Sequence, residues 1–281
     1  MMLYKKLKGV LQIIRLPNVL LTGIGTYIGM LCVSSVESSF KLLPLLPPML
    51  VAASGNIIND IFDLEVDKIN KPSRPLVTGA LTINEAKTMF IFSVLVALLL
   101  SALINYACFF MALFFSILFF IYAKWLKVHG FIGNIAVSLG VGAVFVYGAL
   151  SLGVINLKVL IYSIIAFTLN LSREIVKGIE DVKGDMIRGV KTIAIVKGER
   201  FAAILASVIA VISCFLAPTP FVLGVSGKAY LLLSILAVLA VVYSIWLVLL
   251  NNASKSKSML KVAMALGITG MLLDELLGGV S

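Results

Sequence analysis

Nine separate stretches of this chain are apolar enough and long enough to cross a lipid bilayer as helices. They lie near residues 16–35, 42–59, 84–105, 106–123, 131–153, 156–176, 201–219, 229–250 and 259–277. A spanning helix needs about 20 mostly apolar residues. In hydrocarbon its backbone polar groups must be satisfied within the segment itself. The expectation is therefore an all-α, polytopic membrane protein with nine transmembrane helices, forming one membrane domain over residues 1–281. Composition agrees, since 61% of the residues are hydrophobic and only 13% are charged, against about 25% charged in a soluble domain. That excludes an ordinary globular enzyme, a disordered chain and a disulfide scaffold. No small-residue cleavage site follows the first run, so no removed signal peptide is expected. Cys32, Cys108 and Cys214 lie singly in apolar runs and read as small buried hydrophobes. Gly140, Gly142 and Gly148 read as helix-packing positions. Asn105–Tyr106 must form a very tight turn between two runs.

The basic residues orient these spans. With the N-terminus placed in the cytoplasm, one side collects Lys5, Lys6, Lys8 and Arg15, then Lys68, Lys71, Arg74 and Lys87, then Lys124 and Lys127. The same side takes Arg173, Lys177, Lys183, Arg188, Lys191, Lys197 and Arg200, then Lys255, Lys257 and Lys261. Only Lys41, Lys158 and Lys228 of the 23 Lys and Arg fall on the other side. So strong a bias implies a cytoplasmic N-terminus and an outer C-terminus in the cell membrane. The net charge of +10 is then a matter of orientation. Membrane lipids are the expected surroundings, with no nucleic-acid partner and no obligate protein partner.

Eight acids cluster on the same side, at two places where an apolar run ends. The first cluster reads Asn56-Ile-Ile-Asn59-Asp60-Ile-Phe-Asp63-Leu-Glu-Val-Asp67. On a helix, positions 56, 60, 63 and 67 share one face, while Ile57, Ile58, Ile61, Phe62, Leu64 and Val66 cover the others. A solvated helix end would not need those apolar faces. Three carboxylates at this spacing repel one another, and a hard divalent cation with oxygen ligands, Mg²⁺, relieves the repulsion. The second cluster holds Arg173, Glu174, Lys177, Glu180, Asp181, Asp185 and Arg188. Its face alternates acid and base, a pattern that a self-paired surface helix would also produce.

The two clusters resemble each other. Asp63-x-x-x-Asp67 precedes Lys71 and Arg74, and Asp181-x-x-x-Asp185 precedes Arg188 and Lys191. Each closes an even-numbered span, so the chain carries an acidic stripe and a basic loop twice. Membrane repeats commonly face each other across a shared site. Two such faces across a cavity would hold Mg²⁺ and a polyphosphate, with Lys71 and Arg74 on the non-bridging oxygens. An allylic diphosphate so held is a good leaving group, and a water-poor cavity protects the resulting carbocation.

With Asn59-Asp60-x-x-Asp63-x-x-x-Asp67 and Asp181-x-x-x-Asp185 in hand, the chain resembles the UbiA superfamily of intramembrane prenyltransferases. Its signature is NDxxDxxxD followed by a second DxxxD. Lesser matches are Tyr122-Ala-Lys124-Trp-Leu-Lys127 ahead of Gly133-Asn134, and Arg15-Leu-Pro17-Asn18 at the first span. The resemblance implies a helical bundle around a central cavity, with Mg²⁺ bridging the aspartates and a prenyl diphosphate. It implies that Asn59, Asp60, Asp63, Asp67, Asp181 and Asp185 form the metal and diphosphate set, the aspartates being catalytic. Lys71, Arg74, Lys124, Lys127, Arg188 and Lys191 would then contact phosphate. Arg15, Asn18, Asn56, Tyr122, Asn134, Arg173 and Lys177 are candidate substrate contacts. Many members carry a further acid where this chain has Gly178, which leaves the second cluster fewer ligands.

Within that family the run 173–185 and the short loops are most similar to the archaeal digeranylgeranylglyceryl phosphate synthases. The implied reaction joins geranylgeranyl diphosphate to the free hydroxyl of geranylgeranylglyceryl phosphate, forming the second ether bond of archaeal lipids. A phosphate-bearing acceptor suits the surplus of Lys and Arg near the mouth. The alternative is an aromatic acceptor, a hydroxybenzoate or quinone precursor. A cation or phosphate transporter is more remote, because several spans have almost no ionisable residue in their middles. A CDP-alcohol phosphotransferase lacks its DG-x-x-AR element here. His129, with no acid near it in sequence, reads as a loop residue.

Overall fold

The computed structural model describes residues 2–34, 42–187 and 189–278. Arg188 and Lys41 lie outside the described residues. Among the described residues the chain is helix and turn, with no strand. In order, the helices are α1 (Met2–Ile13), α2 (Leu16–Leu31), α3 (Leu46–Phe62), α4 (Leu64–Asn70), α5 (Ile83–Ile104) and α6 (Tyr106–Lys124). They continue with α7 (Phe131–Ser151), α8 (Leu157–Glu180), α9 (Val182–Ile187), α10 (Ile193–Lys197), α11 (Glu199–Leu216), α12 (Thr219–Val222), α13 (Lys228–Leu249) and α14 (Ala253–Leu276). Short 3₁₀ turns occupy Leu43–Leu45 and Leu126–His129.

Local chemistry places the boundaries. Thr82 and Glu85 form a reciprocal capping box at the start of α5. Asn105 ends α5 in an extended conformation, and its side chain accepts from the Cys108 N–H to start α6, the single-residue hinge that the run lengths require. Asn156 and Asn252 cap α8 and α14 in the same way.

Among the described residues seven helical segments are long and apolar enough to cross a membrane, or up to eight if a bent pair counts as one span. Nine were expected. The first expected span lies on α2, which qualifies only together with Tyr4–Ile13 across a 52° bend. The ninth lies on α14, whose opening Ala-Ser-Lys-Ser-Lys-Ser lowers its hydropathy. Leu95, Leu99, Leu103, Phe110, Phe114 and Phe215 project outward uncovered. That is a lipid-facing surface, and the protein is a multi-pass membrane protein.

Close backbone approach holds the bundle together. A Cβ at Gly29 would stand 2.0 Å from the Phe145 carbonyl oxygen, and one at Gly148 would stand 2.0 Å from that of Thr26. Only glycine allows α2 and α7 to pack at this distance. One core gathers Leu169, Ile175, Val176, Ala206, Val241 and Leu260 from α8, α11, α13 and α14. Another gathers Val51, Ala97, Cys108, Ala112 and Tyr147 from α3, α5, α6 and α7. The phenylalanines of α6 serve packing, as Phe120 against Phe62 and Phe119 against Phe115.

Candidate active site

Each aspartate motif straddles a helix break. Asp63 is the single residue between α3 and α4, with φ −84° and ψ −2°. Asp181 is the single residue between α8 and α9, with φ −91° and ψ 5°. The helical hydrogen bonds run through both breaks. Asp63 N–H donates to Asn59 O at 2.9 Å and Asp67 N–H to Asp63 O at 2.8 Å, as Asp181 donates to Lys177 at 3.0 Å and Asp185 to Asp181 at 2.9 Å. The repeat read from spacing is thus also a repeat of backbone shape.

The first motif is closely paired. Asp60, 2% exposed, accepts from Arg74 at 2.9 and 2.7 Å and from Arg15 at 3.0 Å. Arg15 also donates to Asn56 Oδ1 at 3.0 Å, while Asn56 Nδ2 donates to Ile14 O at 2.9 Å. Arg15 is the hinge between α1 and α2 and sits in the left-handed region, φ 54° and ψ 61°. A non-glycine residue there costs about 1–3 kcal/mol unless its surroundings impose it, and here Asn56 and Asp60 do so. Asp63 is ion-paired to Lys127 and accepts from Asn59 Nδ2 at 3.0 Å, and Lys127 also donates to Asn59 Oδ1 at 3.2 Å. Asp67, 2% exposed, has Lys71 at 3.8 Å, and its Oδ1 is buried without a hydrogen-bond partner.

The second motif is more open. Asp181 is exposed and Asp185 half-buried. Just before them Glu174, its side chain 10% exposed, lies between Arg173 at 2.7 Å and Lys177 at 3.2 Å. Glu180 pairs with Lys257 of α14. Glu174 was absent from the expected site, although the Arg173-Glu174-x-x-Lys177 spacing was its signal.

The segments that follow the two motifs are packed together. Lys127, paired with Asp63, sits in the turn Leu126–His129, and Gly178, three residues before Asp181 on α8, faces Thr192, from which a Cβ there would stand 3.6–3.7 Å. The loops above them are joined as well: Lys191 N–H donates to Val128 O at 2.9 Å. Gly130 makes this fit, with φ 56° and a position at which a Cβ would stand 2.1 Å from the Lys191 carbonyl.

Other expected residues stand apart. Asn18 is exposed. Lys124 lies over the Trp125 ring, 4.3 Å from its centroid. Asn134 touches the rest through its carbonyl, which accepts from Ser138 at 2.7 Å. His129 is exposed, its Nδ1 2.9 Å from the Trp125 carbonyl oxygen. Among the described residues no three His, Cys, Asp or Glu side chains gather closely enough to hold a metal. The residues nevertheless suit Mg²⁺. The donors are oxygens, Asp67 presents an unsatisfied buried carboxylate oxygen, and Mg²⁺ binds through one or two carboxylates plus substrate phosphates.

Comparison with known proteins bears on this geometry. The profile of the UbiA prenyltransferase family matches residues 22–267. The chain is similar to digeranylgeranylglyceryl phosphate synthase of Korarchaeum cryptofilum, 37% identical over 96% of this chain and 98% of that one. It is likewise 37% identical to the same-named enzyme of Saccharolobus solfataricus over 96% and 98%. Among solved structures, one concerned with digeranylgeranylglyceryl phosphate synthase in membranes has a TM-score of 0.80 at 33% identity, covering 96% of this chain and 99% of that one. A UbiA homologue from Archaeoglobus fulgidus bound to DMAPP and Mg²⁺ has a TM-score of 0.69 at 18% identity, covering 93% and 98%, and shares the fold.

Proposed function

The chain belongs to the UbiA prenyltransferase family, and on that premise we propose that it transfers a geranylgeranyl group from its diphosphate to the free hydroxyl of geranylgeranylglyceryl phosphate. The observation that carries this reading is the packing of the turn that brings Lys127 to Asp63 against the Lys191–Thr192 loop beside Gly178 of the second cluster. It supports a site shared by both acidic clusters and their basic partners at one end of the bundle. The curated relatives similar over nearly the whole chain are named for this reaction.

The residues divide the work. Asp60, Asp63, Asp67, Asp181 and Asp185, with Asn59, would hold Mg²⁺. When bound, the metal supplies positive charge that makes the diphosphate a better leaving group. Arg74, Lys127 and Lys71, with Lys124 at the end of α6 and Lys191 of the adjoining loop, would take the phosphate oxygens. The allylic C–O bond breaks, the acceptor hydroxyl oxygen closes on the cation, and its proton passes to the released diphosphate or an aspartate. The apolar walls keep water from the cation. Tyr122, Arg15, Asn56, Arg173 and Lys177 would line the substrates. The Lys and Arg bias supports nine spans, a cytoplasmic N-terminus, and a site opening to the cytoplasmic face of the cell membrane.

The test is to incubate the purified, lipid-reconstituted protein with geranylgeranyl diphosphate, Mg²⁺ and one acceptor at a time. Product from geranylgeranylglyceryl phosphate is expected. Product from an aromatic acid alone would defeat the ether-lipid reading.

A further inference from the structure

The first motif is occupied by its own basic residues. Asp60 holds two guanidinium groups, and Asp63 holds the Lys127 ammonium. Arg74 and Lys127 are among the side chains that a diphosphate would also require. An ion pair satisfies each partner only once. Lys127 on Asp63 cannot fully solvate a phosphate oxygen, and Asp63 under Lys127 cannot fully ligate a divalent cation. The second motif differs, since among the described residues Asp181 has no ion-pair partner and is exposed.

We propose that Arg15, Arg74 and Lys127 form an internal stand-in for the substrate: they neutralise Asp60 and Asp63 in the empty protein and move to the diphosphate as the metal takes their place. The proposal deepens, and rests on, the metal–diphosphate reading of this site. Metal and diphosphate then bind far more tightly together than either does alone, because each vacates the partner that the other needs. Neither an unaccompanied cation nor a stray phosphate is captured. The geometry supports an exchange over a fixed scaffold. Arg15 reaches Asp60 from a strained hinge between two helices that are bent by 52°. Lys127 reaches Asp63 from a 3₁₀ turn outside the spanning helices. Both come from segments joined to the bundle by short connections.

The exchange makes an unusual expectation: removing a motif aspartate should improve metal-free anion binding, and the size of the gain should depend on which aspartate is removed. Binding of labelled inorganic pyrophosphate to the detergent-purified full chain is measured in EDTA. Freeing one charge-assisted contact is worth about tenfold in affinity, so Asp63→Asn should bind pyrophosphate about tenfold more tightly than wild type. Asp181→Asn, which frees no cation among the described residues, should change it by no more than about twofold to threefold. Reciprocally, Lys127→Met should raise Mn²⁺ affinity without pyrophosphate, read from the free-Mn²⁺ paramagnetic resonance signal. In wild type, Mn²⁺ should bind tightly only with pyrophosphate present, after correction for the complex formed in solution. The Lys127→Met arm keeps the test decisive if Asp63→Asn does not fold.

Equal gains from Asp63→Asn and Asp181→Asn would reduce the effect to general charge and overturn the exchange. So would Mn²⁺ binding to wild type that is the same with and without pyrophosphate, although that result leaves the metal–diphosphate site standing. If the folded protein binds neither probe, singly or together, both the exchange and the site reading fall.

Discussion

At the end of the bundle that carries the motifs, Asp60 shares Arg15 and Arg74, and Asp63 shares Lys127 and Asn59. At the other end of α8, roughly 34 Å from Asp181 by helix rise, Lys158 lies between Asp274 at 2.9 Å and Glu275 at 2.5 Å. The ingredients are alike, but the surroundings differ. Arg15 and Lys127 are about a quarter to a third exposed, while Lys158 is 7% and Asp274 1% exposed. The far cluster is also tied to neutral partners. Gly227 N–H donates to Asp274 at 2.7 Å, Tyr162 hydroxyl stands 3.4 Å from Asp274 and 2.9 Å from Ser226, and the Cys32 thiol donates to Glu275 at 3.3 Å. These links join the ends of α2, α8 and α14 to the loop before α13. One end keeps its basic partners within reach of water and ligand around a buried Asp60. The other buries them as a permanent joint.

The largest expected effect is at the motif end and falls on chemistry. Asp63→Ala or Asp181→Ala should reduce turnover by at least about 10²–10³, the size of losing one oriented electrostatic contact to the reacting groups. The melting temperature should hardly move, because neither removes core packing. EDTA should likewise stop turnover, and added Mg²⁺ should restore it. Near-normal activity in either variant would erase the contrast between the ends.

Lys158→Ala should do the opposite. Two carboxylates would be left buried and uncompensated, a loss of about 3–5 kcal/mol. Thermal unfolding should register it, while the folded fraction keeps its turnover per molecule. Combining Lys158→Met with Asp274→Asn and Glu275→Gln should recover most of that stability, since a neutral cluster removes the desolvation penalty. A triple variant no more stable than Lys158→Ala would show that the joint acts through shape and not charge.

The motif end was legible in the sequence because its information is local. Asp60, Asp63 and Asp67 share one chain segment, and a helical period of 3.6 aligns them. The break at Asp63 was not legible, because nothing in Ile-Phe-Asp-Leu-Glu forbids a continuous helix. The far joint was invisible for a different reason. Lys158 and Asp274 are 116 residues apart in sequence, and each alone reads as an ordinary interfacial charge. Cys32, read as a small hydrophobe, proves to be a thiol on Glu275. The ninth expected span is harder to recognise for a related reason: α14 has an apolar second half but a Lys- and Ser-rich start.

A smaller effect would sharpen the contrast within the motif end. At Gly178 a Cβ would meet Thr192 at 3.6–3.7 Å, ordinary contact. Gly178→Asp should therefore fold and, by adding a carboxylate to the second cluster, tighten Mn²⁺ binding in the presence of pyrophosphate about threefold to tenfold, measured by the same resonance titration. No change would place residue 178 outside the metal's reach.

The most direct measurement is an anomalous difference map from crystals of the whole chain soaked with Mn²⁺ and pyrophosphate. The expected result is manganese density lying between the Asp60–Asp63–Asp67 segment and the Asp181–Asp185 segment, with pyrophosphate bridging to Arg74 and Lys127. Manganese confined to one segment, or bound at the Lys158 end, would contradict the shared site on which the proposed reaction depends.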